Sequence, residues 1–227
     1  AEFITLPEEA AMAPKPANLS HEEAASIVFG GHTALHFIKK AGLRKDQSIL
    51  VYGASGSVGS AAVQLARYYH ARVTAVCSQA NAEMVRALGA EQVIDYTKTD
   101  ISSLEACYDM VYETVNKVSV PRIANLLSPG GTLILGAAMI KGMLQGFWIS
   151  NTGKIKVIGG VARAAPEDIQ FLADLAQSGH LKPVIDRVYP LEQMAEAHAY
   201  VEKGHKKGNV VIRMGSEHQK TSKSNTA

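Results

Sequence analysis

The chain has 227 residues, 47% of them hydrophobic, which is enough for one large core or one core with a small lobe. Twenty-three basic and 21 acidic residues leave a net charge of +2, which argues against an electrostatic nucleic-acid platform even at a sequence pI of about 8.5. No apolar run approaches the ~20 residues that span a bilayer. Cys77 and Cys107 form neither a C-x-x-C pair nor a zinc cluster and suit a reducing, cytoplasmic compartment.

The opening, AEFITL, alternates like a short strand and has neither an initiator Met nor a signal peptide. It reads as a start inside a longer protein whose N-terminal targeting is not visible. A Pro- and Ala-rich connector follows. Ser20 and Glu23 form an S-x-x-E capping box that opens a helix, with an interruption expected at Gly30-Gly31 and resumption through TALHFIKKA.

From residue 47 the rhythm changes. SILVYG (48–53), RVTAVC (72–77), QVIDY (92–96), YDMVYE (108–113) and GGTLILG (130–136) are short apolar runs that suit buried parallel strands. Helical spacing lies between them, in GSVGSAAVQLARYY, in AEMVRALGA (82–90) and around VPRIANLL (120–127). The β-α-β alternation predicts an α/β fold with a doubly wound parallel sheet, helices on both faces and right-handed crossovers. AAMIKGMLQGFWISNTG reads as a loop with a short helix, and KIKVIGG (154–160) as a last strand. A helix is expected from Pro166 to Ser178, an extended segment over 183–190, a helix over 191–204 and a strand over 208–214. The polar tail 215–227 reads as disordered. His205-Lys206-Lys207 is a short basic run of the kind found in solvated turns.

The turn Gly53-Ala54-Ser55-Gly56-Ser57-Val58-Gly59 differs from G-x-G-x-x-G only by Ala54. It sits directly after a predicted strand and opens a helix, the context in which such a turn receives a pyrophosphate. Gly56 would let backbone approach the phosphates, and Gly59 would let the helix pack close to the sheet. The helix amino terminus offers free N–H groups and partial positive charge. The alternative is a glycine-rich turn with a purely structural job.

The second strand ends at Cys77-Ser78, where a carboxylate would bind the ribose hydroxyls of NAD and repel a 2′-phosphate. Its absence leans toward NADP over NAD, with Ser78 as a donor to the phosphate. No Arg or Lys follows closely; Arg72, Arg86 and Lys98 are the cations that would have to fold back.

GGHTALHFIKKAGL (30–43), ILVYGASGSVGSAAVQLAR (49–67), LGAEQVIDYTKTD (88–100), LSPGGTLILG (127–136) and LEQMAEAHAYVEKGHKKGNVVI (191–212) carry a family likeness. In their order and spacing the chain resembles the medium-chain dehydrogenase/reductase superfamily, in its zinc-independent quinone-oxidoreductase-like branch. The resemblance implies a Rossmann-type dinucleotide domain over 25–160. Residues 1–24 would be the end of a GroES-like catalytic domain and a connector. Residues 161–214 would return toward that domain, most of which would be missing.

It also implies cofactor contacts. Thr33 would meet the nicotinamide ribose side, and Ala54, Ser55, Gly56, Ser57, Val58 and Gly59 the pyrophosphate. Ser78 and Tyr96 would lie near the adenosine and its 2′-phosphate, Thr114 and Val115 would border adenine and ribose, and Gly136 and Ala137 would approach the nicotinamide. Tyr96 reads equally as a packed aromatic, and Thr33 as a helix residue bonding its own backbone.

Zinc-dependent relatives carry a Cys four residues before the Thr33 position, and Phe29 stands there in this chain. A catalytic zinc needs three N, S or O ligands, so no metal is expected. His21, His32 and His36 do not have metal-site spacing, and His36 reads as lining the cleft or capping backbone. There is no G-x-S-x-G elbow and no Ser-His-Asp logic, so the cofactor would carry the chemistry and no catalytic acid is named. The expected function is hydride transfer from NADPH to a small-molecule quinone or α,β-unsaturated carbonyl. A non-catalytic dinucleotide-binding module and a zinc alcohol dehydrogenase are the alternatives. No nucleic-acid or membrane partner is expected. A homodimer is, through a sheet edge near 154–160.

Overall fold

The structure is a computed structural model and describes residues 4–104, 107–136 and 154–214. The expected loop and short helix after Gly136, and the tail from 215, lie outside the described residues. Residues 4–20 contain no strand: among the described residues nothing pairs with Ile4–Leu6, so their alternation has no ladder to join.

Helix α1 (His21–Ala41) opens with the expected capping box. Ser20 Oγ accepts the Glu23 amide at 3.1 Å, and the Glu23 carboxylate accepts the Ser20 amide at 2.8 Å. The expected break at Gly30-Gly31 is overturned: α1 runs unbroken through both. A Cβ on Gly30 would overlap the Ser57 carbonyl, lying 2.7 Å from its carbon, and one on Gly31 would lie 3.2 Å from a Leu172 methyl. Glycine costs a helix about 1 kcal/mol relative to alanine, and here it lets a neighbouring backbone approach.

Six parallel strands follow, β1 (Ser48–Tyr52), β2 (Arg72–Cys77), β3 (Gln92–Asp95), β4 (Tyr108–Glu113), β5 (Leu127–Leu135) and β6 (Lys156–Gly159), in the order β3-β2-β1-β4-β5-β6. Crossover helices α2 (Ser57–Tyr68), α3 (Ala82–Leu88) and α4 (Val120–Ala124) connect them. This is the doubly wound α/β sheet expected. β5 begins at Leu127, three residues early, because Tyr108 N–H takes the Leu126 carbonyl (2.8 Å) and draws that segment into the ladder. The helix before it is correspondingly short.

Alternate residues of the buried strands feed two cores. Ile49, Val51, Val73 and Ala75 face α1 and α2 with Leu35, Phe37 and Leu65, while Leu50, Tyr52, Val111, Leu133 and Leu135 face Ile123 and Leu126 of the other layer. Burial on both faces is what made the strands read as continuous apolar runs.

Helix α5 (Pro166–Gln177) packs on α1 through Leu172 and an ion pair between exposed Lys39 and buried Asp168. The expected extended segment is strand β7 (Ile185–Pro190), and the expected last strand is β8 (Asn209–Arg213); they pair in parallel as a separate two-stranded sheet joined by α6 (Met194–Glu202).

Gly30→Ala gains helix propensity yet forces α1 off the α2 backbone. A net loss of about 1–3 kcal/mol is expected from the overpacking, read as a lower urea midpoint at unchanged slope. Gly31→Ala meets only a movable methyl and is expected to be close to neutral in the same titration.

Candidate functional site

The register of the sheet aligns the strand ends. Tyr52 pairs with Val76 and Glu113, Cys77 with Asp95, and Glu113 with Leu135. The residues just beyond them, Gly53, Ser78, Tyr96, Thr114 and Gly136, therefore emerge along one carboxyl edge. The chain winds from β1 through β2 and β3 to one side and β4 to β6 to the other. The switch point lies between β1 and β4, the place where open α/β sheets bind ligands.

At that point the glycine turn leaves β1. Gly53 (φ +84°) and buried Ala54 both donate to the Val76 carbonyl, at 3.1 and 3.0 Å. A Cβ on Gly53 would lie 2.5 Å from Val115 Cγ1 and 2.6 Å from Thr114 Oγ1; one on Gly59 would overlap the Gly53 carbonyl oxygen and lie 2.8 Å from Ala54 Cα. Gly56 is the open position, its Cβ site no closer than 3.5 Å to the Gly53 oxygen. So Gly59 packs helix to turn and Gly56 leaves the approach clear, as their spacing suggested. The first amides of α2, on Ser57, Val58 and Gly59, precede the first intrahelical bond, Ser60 N–H to Gly56 O at 2.9 Å. No side chain caps them and no acidic residue stands in the first turn. A backbone turn left open at Gly56, with uncapped amides beside it, fits a dinucleotide pyrophosphate.

Thr114 is tied into this turn. Its hydroxyl donates to the Tyr52 carbonyl (2.7 Å) and its amide to the same oxygen (3.1 Å), so it builds the turn. Val115 is exposed and forms the lip. Tyr96 is 49% exposed, which removes the packed-aromatic alternative. With Tyr52, Thr99, Asp100, Lys117 and Arg122 it lines a cleft of about 210 Å³ beside the β1, β3 and β4 ends. Ser78 accepts from Asn81 Nδ2 at 3.3 Å. Of the three cations named for the 2′-phosphate, Arg72 is misplaced. It begins β2 at the opposite edge and donates to the Asp46 carbonyl. Arg86 and Lys98 lie close enough to act on Cys77 and Asp95 respectively. Cys77 is buried, and its thiol is pushed up to about 11 by that burial.

Thr33 lies on α1, and its carbonyl accepts the Tyr112 hydroxyl at 3.3 Å. The Tyr112 ring fills the space where a Gly136 Cβ would sit, 2.6 Å from ring Cε2. Tyr112 thus links the two residues expected at the nicotinamide end. Ala137 lies outside the described residues. Phe29, on the same helix, is 71% exposed. His36 is held below the usual imidazole range, first by burial and then by Lys40.

Sequence reasoning missed three contributors. Tyr112 is the first. Glu113 is the second: it is buried at the end of β4 and its carboxylate accepts the amides of Val115 (2.9 Å) and Asn116, folding the lip around itself. The third is the segment before β8. Gly208 N–H donates to the Ser55 carbonyl (2.8 Å) and Ser57 Oγ to Asn209 Oδ1 (2.5 Å), strapping the C-terminal sheet onto the glycine turn. Its one local signal was the Gly-Asn pair at 208–209.

A larger cavity, about 780 Å³, lies at the other end of α2 and holds none of these residues. Arg67, His180 and Lys182 line it where α2, α3 and α5 end, and cations there offset the partial negative charge of helix carboxyl termini.

Residues 88–212 match a family model described as zinc-binding dehydrogenase. The 2-methylene-furan-3-one reductase of Solanum lycopersicum is 32% identical over 92% of this chain and 51% of its own length. The mitochondrial NAD(P)H oxidoreductase RTN4IP1 of Mus musculus is 33% identical over 87% and 57%. A chloroplast envelope quinone oxidoreductase homolog of Arabidopsis thaliana is 31% identical over 93% and 68%. Among solved structures, the quinone oxidoreductase of Coxiella burnetii superposes with a TM-score of 0.80 at 26% identity, covering 88% of this chain and 63% of its own. An NAD-dependent alcohol dehydrogenase superposes at 0.83 and 30% identity, covering 95% and 65%. The chain spans about half the length of the first two relatives.

Burial holds the Glu113 carboxyl above the usual glutamate range, against the pull of the amides it accepts. An acid raised in the folded state contributes stability that is present at low pH and lost as pH climbs from its ordinary value of 4.5 through the raised one. The stability of Glu113→Gln relative to the parent is therefore expected to rise across that window, in denaturant titrations at stepped pH.

Proposed function

The chain belongs to the zinc-binding dehydrogenase family of the medium-chain dehydrogenase/reductase superfamily, and on that premise we propose an NADPH-dependent, zinc-independent oxidoreductase that passes hydride to a quinone or an α,β-unsaturated carbonyl. The observation that carries the proposal is the glycine turn, open at Gly56, with the uncapped amides of α2 beside it. When bound, the dinucleotide supplies the hydride. Ser57, Val58 and Gly59 offer amides to its phosphates, and Thr114 and Glu113 hold the lip beside its adenosine. Tyr112 keeps Thr33 and Gly136 together at the opposite end.

The choice of NADPH rests on the acid-free end of β2. The carboxylate opposite Cys77, Asp95, is turned onto Thr97, accepting its amide at 3.0 Å and its hydroxyl at 2.8 Å. Zinc independence rests on Phe29, an exposed hydrocarbon where zinc-dependent relatives have a ligand. The enone and quinone classes follow the relatives, a 2-methylene-furan-3-one reductase and a quinone oxidoreductase homolog. The NAD-dependent alcohol dehydrogenase among the solved structures favours NAD as the second cofactor to try. The free edge of β6 supports a homodimer through sheet extension. Two unbridged cysteines are compatible with the cytoplasm; no helix of the described residues is long and apolar enough to cross a membrane.

Calorimetry on the purified chain is expected to show NADPH binding about tenfold tighter than NADH, the weight of one charge-assisted contact to the 2′-phosphate. Gly59→Val is expected to remove binding of both. Loss of the NADPH absorbance band with a small quinone or enone, by the full-length protein, tests turnover. No oxidation across both substrate classes overturns the enzymatic part.

A further inference from the structure

The segment that straps β8 to the glycine turn carries a lysine whose charge the fold does not use. Lys206 is half-buried, and its Nζ donates to the Gly208 carbonyl at 2.6 Å. An ammonium has three donors, and this is the one bond it makes to another described residue. It lines a cleft of about 380 Å³ with Ser57, the first residue of α2, and with Phe29 and Asn209; the remaining wall comes mainly from the apolar side chains of β8. No carboxylate lines that cleft. Asp186 on β7 is the charged side chain that acts on Lys206 from outside it, and it is already committed to the Tyr200 hydroxyl (2.6 Å) and the Lys207 amide (3.0 Å). From α1, α2 and β8 the cleft presents Phe29, Ser57 and Asn209, none of which is charged.

Partly burying a charge on one neutral acceptor is unfavourable. Burial accordingly holds the ammonium below the ordinary lysine range, with Asp186 pulling the other way. A neutral donor would serve the Gly208 contact as well. What the cleft lacks is an anion, and the adjoining turn is built to receive one: Ser57 belongs both to the cleft and to the uncapped α2 terminus. The Gly208 amide on the Ser55 carbonyl keeps Lys206 beside that turn.

We propose that Lys206 is the counter-charge for the dinucleotide diphosphate, its ammonium turning from the Gly208 carbonyl onto the phosphate oxygens that the α2 amides receive. This rests on the reading of the glycine turn as a dinucleotide site, and the two fail separately in the following experiment. Calorimetry is run on the full chain and on Lys206→Gln and Lys206→Arg, with NADPH and with adenosine 2′-monophosphate, which lacks the diphosphate.

Lys206→Gln is expected to weaken NADPH about tenfold or more, the weight of a charge-assisted hydrogen bond, and to flatten the salt dependence of binding. It should leave adenosine 2′-monophosphate unchanged, which also shows that the variant is folded. Lys206→Arg should restore NADPH binding. A phosphate beside the ammonium raises its proton affinity, so as pH is stepped up toward the ordinary lysine value of 10.5 the parent should take up protons on binding NADPH, in buffers of different ionisation heat, and Lys206→Gln should not. Equal NADPH affinity in parent and Lys206→Gln overturns the proposal and leaves the dinucleotide reading standing. Equal losses for both ligands assign Lys206 a structural role and overturn it as well. A parent chain that binds neither ligand overturns the dinucleotide reading itself.

Discussion

The site depends on a constraint of space: three backbones meet at the start of α2 with no side chain between them. Gly30 brings α1 onto the Ser57 carbonyl, Gly59 brings α2 onto the Gly53 carbonyl, and Gly53 leaves room for Thr114 and Val115 from β4. Glycine weakens a helix or turn by about 1 kcal/mol against alanine. Here that weakness is tolerated because the missing Cβ atoms of Gly30 and Gly59 open contacts between main chains, and that of Gly53 makes room for the Thr114 and Val115 side chains. The result is a turn at which the first amides of α2 have no partner among the described residues.

Electrostatics then refine what sterics allow. Inside the edge, Glu113 folds the 114–116 backbone around a buried carboxyl, so the lip formed by Val115 is held by an acid that is almost wholly shielded from solvent. Outside it, the amino end of α2 carries partial positive charge and no acid to cancel it. The far ends of the helices show the reverse arrangement, with Arg67 and Lys182 over carboxyl termini. The largest of the three described cavities is where cations quieten helix ends, whereas the cleft lined by Ser57 adjoins amides that have no partner among the described residues.

Much of this was legible in the amino-acid order. Strands buried on both faces must be apolar throughout, so Ile49–Tyr52 and Val73–Cys77 announce a parallel sheet. The Ser20 and Glu23 pair marks a helix start because the two groups that satisfy each other lie three residues apart. The glycine turn reads correctly because strand, turn and helix are contiguous. What failed, failed for want of neighbours. Gly30-Gly31 looks like a break until Ser57 and Leu172 are set against it. Arg72 is near Cys77 in number, yet a six-residue strand separates its ends by about 16 Å. Tyr112 and Glu113 acquire their roles from β1, α1 and β5, through register that no local pattern records.

The strap from Gly208 to Ser55 has a consequence for how the molecule comes into being. Ser57 and Asn209 are 152 residues apart, and their hydrogen bond joins the first turn of the six-stranded sheet to β8 of the separate two-stranded one. Contacts of such long range form late, because the loop between them must be closed before they contribute. During synthesis the first βα unit can collapse on its own apolar faces well before β8 exists. Its glycine turn would then wait, shaped but unlatched, so that the finished geometry of the turn reports on the arrival of β8 rather than on formation of the motif.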